Sequence, residues 1–437
     1  MTLARPPAPR PSWLVAVTVL CVCVPRTQNN ADLSVQVTIG DMAAAVLVVV
    51  MTLLALRDGL RLPPRALLAF GPVVLALAVS TLNAHDIAAS LPGFVRVAEI
   101  FVLVPLAVML AVRTRADAAI VAGAAVAGGL FQAGVGIWQA VTRTGASISG
   151  HSVRAVGTFG AIDVMALATV VGYALVIVIA AMTGARGRSR ALLAAATAVL
   201  ALALVLALSR GAWIAVGAGV ATVVVLFRRA TAVRVAVCAL AAAIVLGAGI
   251  GSRNELLGQR IASVGASITQ PDQSVSDRFS LWSTAVHIWR DHPATGVGVK
   301  GFPAFRDANA PLALSSGSET QDPVNGYKRQ PLLSPHNQYL LVLSEQGALG
   351  LFALLLLPGV LLHGLAVRRR TRDPLWLLSV GFLMTLLVGF LYGDLGGPTS
   401  VLTAVVLGLA AACALNPSAV RPPAAAPRLR ILVPDPR

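Results

Sequence analysis

Charged side chains are scarce in this 437-residue chain: 12% of it is Asp, Glu, Lys or Arg, against 57% hydrophobic residues. An ordinary soluble domain carries about twice that charged fraction, so a soluble globular enzyme is excluded, and a mean hydropathy of +0.81 agrees. Lysine is nearly missing, with only Lys300 and Lys328 among 34 basic residues. That bias reads as GC-rich coding rather than selection for guanidinium chemistry, so no single arginine carries an argument by its type alone. The four cysteines, Cys21, Cys23, Cys238 and Cys413, all fall inside apolar runs, which leaves no disulfide framework and no zinc-ligand spacing. No fixed-period repeat is present.

In place of charge the chain has one apolar run after another. A helix needs about 20 such residues to cross a bilayer, and roughly twelve runs qualify. They lie at 13–25, 37–56, 64–82, 93–112, 116–140, 161–182, 191–208, 211–227, 232–250, 337–366, 374–392 and 397–415. The expected fold class is therefore all-α, a polytopic membrane protein of about 12 transmembrane helices. Short loops rich in arginine stay cytoplasmic, and alternate connections are basic: Arg5 and Arg10 before the first run, then Arg57, Arg61 and Arg65, Arg113 and Arg115, Arg186, Arg188 and Arg190, Arg228, Arg229 and Arg234, Arg368, Arg369, Arg370 and Arg372, and Arg421, Arg428 and Arg430 in the tail. Both termini are then inside. The chain divides into helices one to nine over 1–251, an extracytoplasmic loop over 252–335, helices ten to twelve over 336–416, and a proline-rich tail over 417–437 expected to be disordered. Arg5 and Arg10 before an apolar run also fit a signal peptide, although retention of the first span is preferred. Much of the net charge of +16 sits in the short basic turns, where topology accounts for it, so no nucleic acid partner is expected.

Two outward connections are long enough to carry chemistry. One, about 141–160, holds His151, Arg154, Gly157 and Phe159; the other is the polar segment 252–335. Within it, Ser276 is a candidate cap for a helix whose Phe279, Trp282, Val286 and Trp289 recur at helical spacing and which ends before Pro293. Such a helix suits the membrane surface. Gly296, Gly298 and Gly301 read as a flexible turn, lacking the strand, spacing and Lys-Ser/Thr of a phosphate-cradling loop. At the return to the membrane, Ser334 is placed as cap, Pro335 at the first helical position and His336 in the first turn. A helix's positive end disfavours imidazolium there, so His336 is expected as neutral imidazole, the form a general base needs.

Each candidate has a plainer reading beside the functional one. Arg210, in Leu208-Ser209-Arg210-Gly211-Ala212-Trp213 at the outer junction of spans seven and eight, either snorkels to lipid headgroups or binds a phosphate; the phosphate reading is preferred, because topology disfavours arginine there. Arg278, one turn from Trp282, is an interfacial anchor or an anion contact, and the same choice applies to Arg154. His336 is a structural histidine or a base, with Asn337 and Tyr339 able to orient it and Asp394, in the short outer turn before the last span, another possible base. Ionisable groups inside spans, Asp41, Arg96, Glu99, Asp163 and Glu345, should face the protein interior and pair. Arg96 and Glu99 share a helix face, and a structural pair is preferred there over an ion path.

The runs Ser209-Arg210-Gly211-Ala212-Trp213, Arg278 through Trp282 to His292-Pro293-Ala294-Thr295-Gly296-Val297-Gly298, and His336-Asn337-Gln338-Tyr339 with Gly347 and Gly350 resemble, in that order, motifs of the O-antigen ligase and polysaccharide polymerase family of membrane glycosyltransferases. Arg154-Ala155-Val156-Gly157-Thr158-Phe159 is similar to a further family segment. The resemblance implies a GT-C-like fold in the inner (plasma) membrane and extracytoplasmic transfer of a glycan from an undecaprenyl-pyrophosphate carrier to an acceptor hydroxyl, by an inverting route with no metal and no cofactor. It implies Arg210 and Arg278 at the pyrophosphate, Arg154 as a further contact and His336 as base. Ligase and polymerase share that donor, and the acceptor, a glycan, lipid or protein, stays open. A secondary transporter or flippase also fits twelve spans and the buried charges at Asp41 and Glu99. Against it, related halves and broken central helices are not visible, and the polar mass lies in one loop.

Overall fold

The structure, a computed structural model, describes residues 10–25, 37–148, 151–160, 163, 165–228, 273–311, 314, 318–322, 326–330, 333–368 and 373–416. The expected ninth span, Cys238, the first part of the polar segment and the tail from Pro417 lie outside these residues. Along the chain run α1 (Ser12–Cys21), α2 (Ile39–Asp58), α3 (Pro64–Leu82), α4 (Ile87–Ala98), which passes through a π-helical turn (Glu99–Leu103) into α5 (Val104–Ala111), and α6 (Arg115–Thr142). A hairpin of β1 (Ala146–Ile148) and β2 (His151–Arg154) precedes α7 (Ala166–Met182), α8 (Gly187–Leu206) and α9 (Arg210–Phe227). After these come α10 (Gln273–Asp291), α11 (Phe302–Asn309), a second hairpin of β3 (Ser318–Asp322) and β4 (Gly326–Gln330), then α12 (Gln338–Val367), α13 (Pro374–Gly389) and α14 (Ser400–Leu415).

Among the described residues, seven helical segments are long and apolar enough to cross a membrane, and α1, α7, α13 and α14 are shorter apolar helices. Each expected span inside the described residues has its helix, so the polytopic helical membrane architecture read from hydropathy is present; the strands described are confined to the two hairpins. Local chemistry sets the helix ends. Thr38 and Asp41 form a capping box on α2, which ends at Gly59 with φ 62°, and Thr114 with Asp117 does the same for α6. Asp373 caps α13 ahead of Pro374.

Connections that the arginine rule assigns to one side meet at one end of the bundle. There Arg115 Nη2 pairs with Asp373 Oδ2 at 2.7 Å, and Ser12 Oγ donates to Asp117 Oδ1 at 2.8 Å. The opposite end gathers the α3–α4 connection, the β1–β2 hairpin, the α8–α9 junction, the start of α12 and the 390–399 turn. Apolar surface gains little by leaving lipid, so helices here associate through close approach of small residues. A Cβ on Gly219 of α9 would overlap Thr385 Oγ1 and stand 2.7 Å from the Gly381 carbonyl of α13, and one on Gly172 of α7 would overlap Val216.

Helix α10 begins at Gln273, upstream of the expected cap Ser276. Its buried face is Leu281, Thr284, Ala285 and Ile288, while Phe279 is 55% exposed. Trp282, Val286 and Trp289 are half-buried, so the expected stripe lies beside this buried face rather than within it. Leu281, Ala285 and Ile288 instead build a small core with Val297, Phe302 and Leu314, because the loop folds back on the helix and supplies a packing surface of its own.

The glycine turn expected at 296–301 is present, and its backbone is hydrogen-bonded to a neighbouring helix. Helix α12 is broken at Gly347, where φ is 63° and ψ −162°, a region open essentially to glycine alone. The loop 293–298 fills the break: Val297 N donates to Ser344 O (3.1 Å), Gly298 N to Glu345 O (2.9 Å), Ala348 N to Pro293 O (2.8 Å) and Leu349 N to Ala294 O (3.2 Å). Backbone groups freed inside an apolar spanning helix must be satisfied by protein, and the loop satisfies these.

Candidate functional site

The start of α12 differs from the sequence expectation and gains a partner. The cap is Asn337, whose Oδ1 accepts from Tyr339 N at 3.0 Å and Leu340 N at 3.1 Å. Ser334 Oγ accepts instead from His336 N at 3.3 Å. A four-residue Ser-Pro start was available, but Asn337 satisfies two orphan amides where Ser334 would satisfy one. His336 therefore lies just outside the helix, held at φ 50°, and the helix-end argument for its neutral form does not apply.

At that position His336 Nδ1 stands 3.7 Å from Asp394 Oδ1, the imidazole about half exposed and the carboxylate largely covered. Burial pushes the Asp394 carboxyl up, but the His336 and Ser334 side chains outweigh it and hold it below the ordinary carboxylate range. The carrier turn of Asp394 is tied to the helix start: Gln338 N donates to Phe390 O at 2.9 Å, Gln338 Oε1 accepts from Leu395 N at 2.7 Å, and Asn337 Nδ2 donates to Leu391 O at 3.3 Å. Asn337, expected to orient His336, and Gln338 are thus braces between His336 and the Asp394 turn, whose partners lie more than fifty residues away in sequence.

The arginines reach the same end by separate routes. Arg154, closing β2, donates from Nε to the Ala207 carbonyl at the C-terminus of α8 at 2.9 Å, and its chain neighbour Ala155 N bonds Leu206 O at 3.1 Å. A sharp reversal at Leu208 (φ 48°) and the cap Ser209 then start α9 with Arg210. Met165 links the two, with Sδ 3.1 Å from Ser209 Oγ and 3.9 Å from Arg154 Nη2. Gly211 packs on Tyr392, where a Cβ would stand 2.7 Å from the tyrosine Cβ; Tyr392 is two residues before Asp394. Arg278 arrives on α10, whose Trp282 donates its ring N–H to the Pro335 carbonyl at 2.9 Å, beside His336. Arg154, Arg210, Arg278 and His336, chosen from separate stretches of sequence, therefore share one end of the bundle with Asp394.

Beneath the 390–399 turn lies a buried charge network. Arg96 Nη1 pairs with Glu99 Oε2 at 2.9 Å and with Asp41, and its Nη2 donates to the Gly397 carbonyl at 3.2 Å. The Arg96–Glu99 structural pair expected from one helix face is present, enlarged by a carboxylate from α2. Asp163 Oδ1 also borders Gly397, 2.8 Å from where its Cβ would be. Among the described residues no three His, Cys, Asp or Glu side chains are grouped to hold a metal ion.

No curated protein matches the chain. A family model described as O-antigen ligase matches residues 195–355. The matched stretch begins within α8 and ends beyond the α12 break, so it holds Arg210, Arg278, His336 and the clasp between loop and helix, while Arg154 and Asp394 fall outside it. Over that stretch this membrane protein matches the O-antigen ligase family, the family its motifs resemble.

Proposed function

We propose that the chain is a glycosyltransferase that moves a glycan from an undecaprenyl-pyrophosphate carrier to an acceptor hydroxyl on the extracytoplasmic face of the plasma membrane, inverting the anomeric centre. The observation that carries this reading is the His336–Asp394 pair, 3.7 Å apart, at the bundle end that also receives three arginines. A lipid pyrophosphate offers guanidinium groups a bound anion and a charge that grows as it departs. In this reading Arg210 and Arg278 hold the pyrophosphate and Arg154 lines its approach. His336 presents Nδ1 to Asp394 and takes the acceptor proton on Nε2. The acceptor oxygen forms its bond to the anomeric carbon as the carbon–oxygen bond to the pyrophosphate breaks, and the leaving electrons remain on the pyrophosphate. Asp394 fixes the imidazole and stabilises the imidazolium that forms. The reading requires neither metal nor cofactor. It also includes the GT-C-like arrangement with twelve spans, the ninth between α9 and α10.

Ligase and polymerase differ only in acceptor and remain two versions of this proposal. The transporter reading gains nothing from the broken helix α12. A solute site needs the freed backbone groups turned to a cavity, and here the 293–298 loop takes them. The test is a proteoliposome assay with radiolabelled undecaprenyl-pyrophosphate glycan and membrane extract as acceptor source. Wild type releases label from the lipid into product, and His336→Ala and Arg210→Ala do not, at equal protein levels. Full activity of His336→Ala would remove it as base; movement of the lipid-linked glycan across the membrane without transfer would favour a flippase.

A further inference from the structure

We propose that the loop 293–298, clasped into the break of α12, sets the position of the anion-binding arm relative to the base, and that Glu345, Gly296 and Gly347 are the positioning residues of that clasp. The proposal rests on the transfer reading above. Arg278 rides on α10, which runs directly into the loop, and His336 stands at the head of α12; the clasp is where these two carriers are bound to each other.

The geometry is specific. Four main-chain hydrogen bonds join residues 293–298 to residues 344–349, as a strand pair would. Glu345, 6% exposed, binds three segments at once. Its carbonyl accepts from Gly298 N of the loop (2.9 Å) and from Ser80 Oγ of α3 (2.8 Å), and its carboxylate Oε1 accepts from Phe302 N at the start of α11 (3.3 Å). The two backbones approach so closely that a Cβ on Gly296 would overlap the Glu345 carbonyl group, and one on Gly347 would overlap that of Ala294. On its other side the loop abuts the α3–α4 region, where a Cβ on Gly298 would stand 2.9 Å from Ser90 Oγ and one on Gly93 2.8 Å from Val299 Cγ1. The loop is therefore wedged between α12 and the α3–α4 corner, and α10 cannot shift without unpairing it.

In this proposal the carboxylate of Glu345, which the Lys300 amide and charge also reach, serves the clasp chiefly as an acceptor. A glutamine retains an oxygen for Phe302 N; an alanine leaves that buried amide without it. This separates positioning from proton transfer, which a glutamine would not perform.

The experiment uses the full-length protein in proteoliposomes, with Glu345→Gln, Glu345→Ala and Gly347→Ala compared with wild type in the labelled-glycan assay. A second readout is tryptic cleavage at Arg290 and Lys300, which flank the loop. Glu345→Gln is expected within about threefold of wild-type kcat, with wild-type cleavage. Glu345→Ala and Gly347→Ala are expected to lose at least about thirtyfold in kcat, with donor KM changed less than about threefold and cleavage faster by about tenfold or more, the pattern of an interaction realised in the transition state rather than in binding. Equal loss in Glu345→Gln and Glu345→Ala with unchanged cleavage would overturn the proposal in favour of an acid–base role. Full activity and slow cleavage in Glu345→Ala would overturn it outright. If wild type itself moves no label, the transfer reading falls, and the cleavage contrast alone decides whether the clasp exists.

Discussion

Replacing Asp394 by asparagine keeps the shape of the turn and removes one charge. At 3.7 Å from His336 Nδ1, that carboxylate interacts with a developing imidazolium by about 1 kcal/mol at the dielectric of water and about 4 kcal/mol at an effective value of 20. The half-exposed imidazole places the pair toward the lower part of this range, because solvent screens it. About 2 kcal/mol is the working figure, a loss of roughly thirtyfold in kcat. The assay is steady-state release of labelled glycan from the lipid carrier in proteoliposomes, with product resolved by size. Donor KM should change little if, as proposed, the pair acts on the acceptor's proton and the arginines hold the donor. The pH dependence follows from the same pair. Asp394 is held below its ordinary value of 3.8, so the folded protein binds this proton less readily than the unfolded chain does. Its contribution to stability is fully present above about pH 4 and is lost as pH falls through the lowered value. Asp394→Asn should flatten that acid limb. Activity of Asp394→Asn within threefold of wild type would refute the pairing of base and carboxylate.

Arg210→Lys keeps a charge but loses the planar fork, and should lower kcat/KM by roughly one to two orders of magnitude, less than Arg210→Ala does, in the same assay. Arg96→Met leaves Asp41 and Glu99 buried without their cation and should destabilise the protein by about 3 to 5 kcal/mol, read as a lowered midpoint of thermal aggregation in detergent. Gly219→Ala, whose methyl would overlap Thr385, should lower that midpoint clearly, whereas Gly217→Ala, on the same helix with open space around it, should leave it unchanged or raise it, alanine being favoured over glycine by about 1 kcal/mol in a helix. Asn337→Ala removes both amide caps of α12 and should cost about 0.5 to 2 kcal/mol, with a fall in kcat because the bond to Leu391 O is lost as well.

Hydropathy and arginine placement made the spans legible, because bilayer thickness and insertion act on local sequence. They account for α2, α3 and α6 nearly to the residue. Arg96 and Glu99 were legible as a pair since helix geometry fixes their separation, but Asp41 was not, lying 55 residues away with no local rule to join them. The same limit hides the partner of His336: Asp394 stood out as ionisable in a short turn, yet only folding brings it to Nδ1. Ser334-Pro335 misled because it satisfies every local rule for a helix start, and Asn337 prevailed through two amide bonds plus a tie to the next turn. The α12 break was concealed inside a strongly apolar run. Gly347 and Gly350 were visible as motif residues, but glycine alone does not distinguish a break from close helix packing.

The break in α12 also bears on how the chain reaches its membrane. An ordinary spanning helix satisfies its own amides and can leave the insertion machinery as a finished unit. α12 does not, for the hydrogen-bond partners its break lacks come from 293–298, an earlier and more polar stretch of the chain. Loop and helix are thereby one unit: a transplanted loop would have to bring its own matching helix.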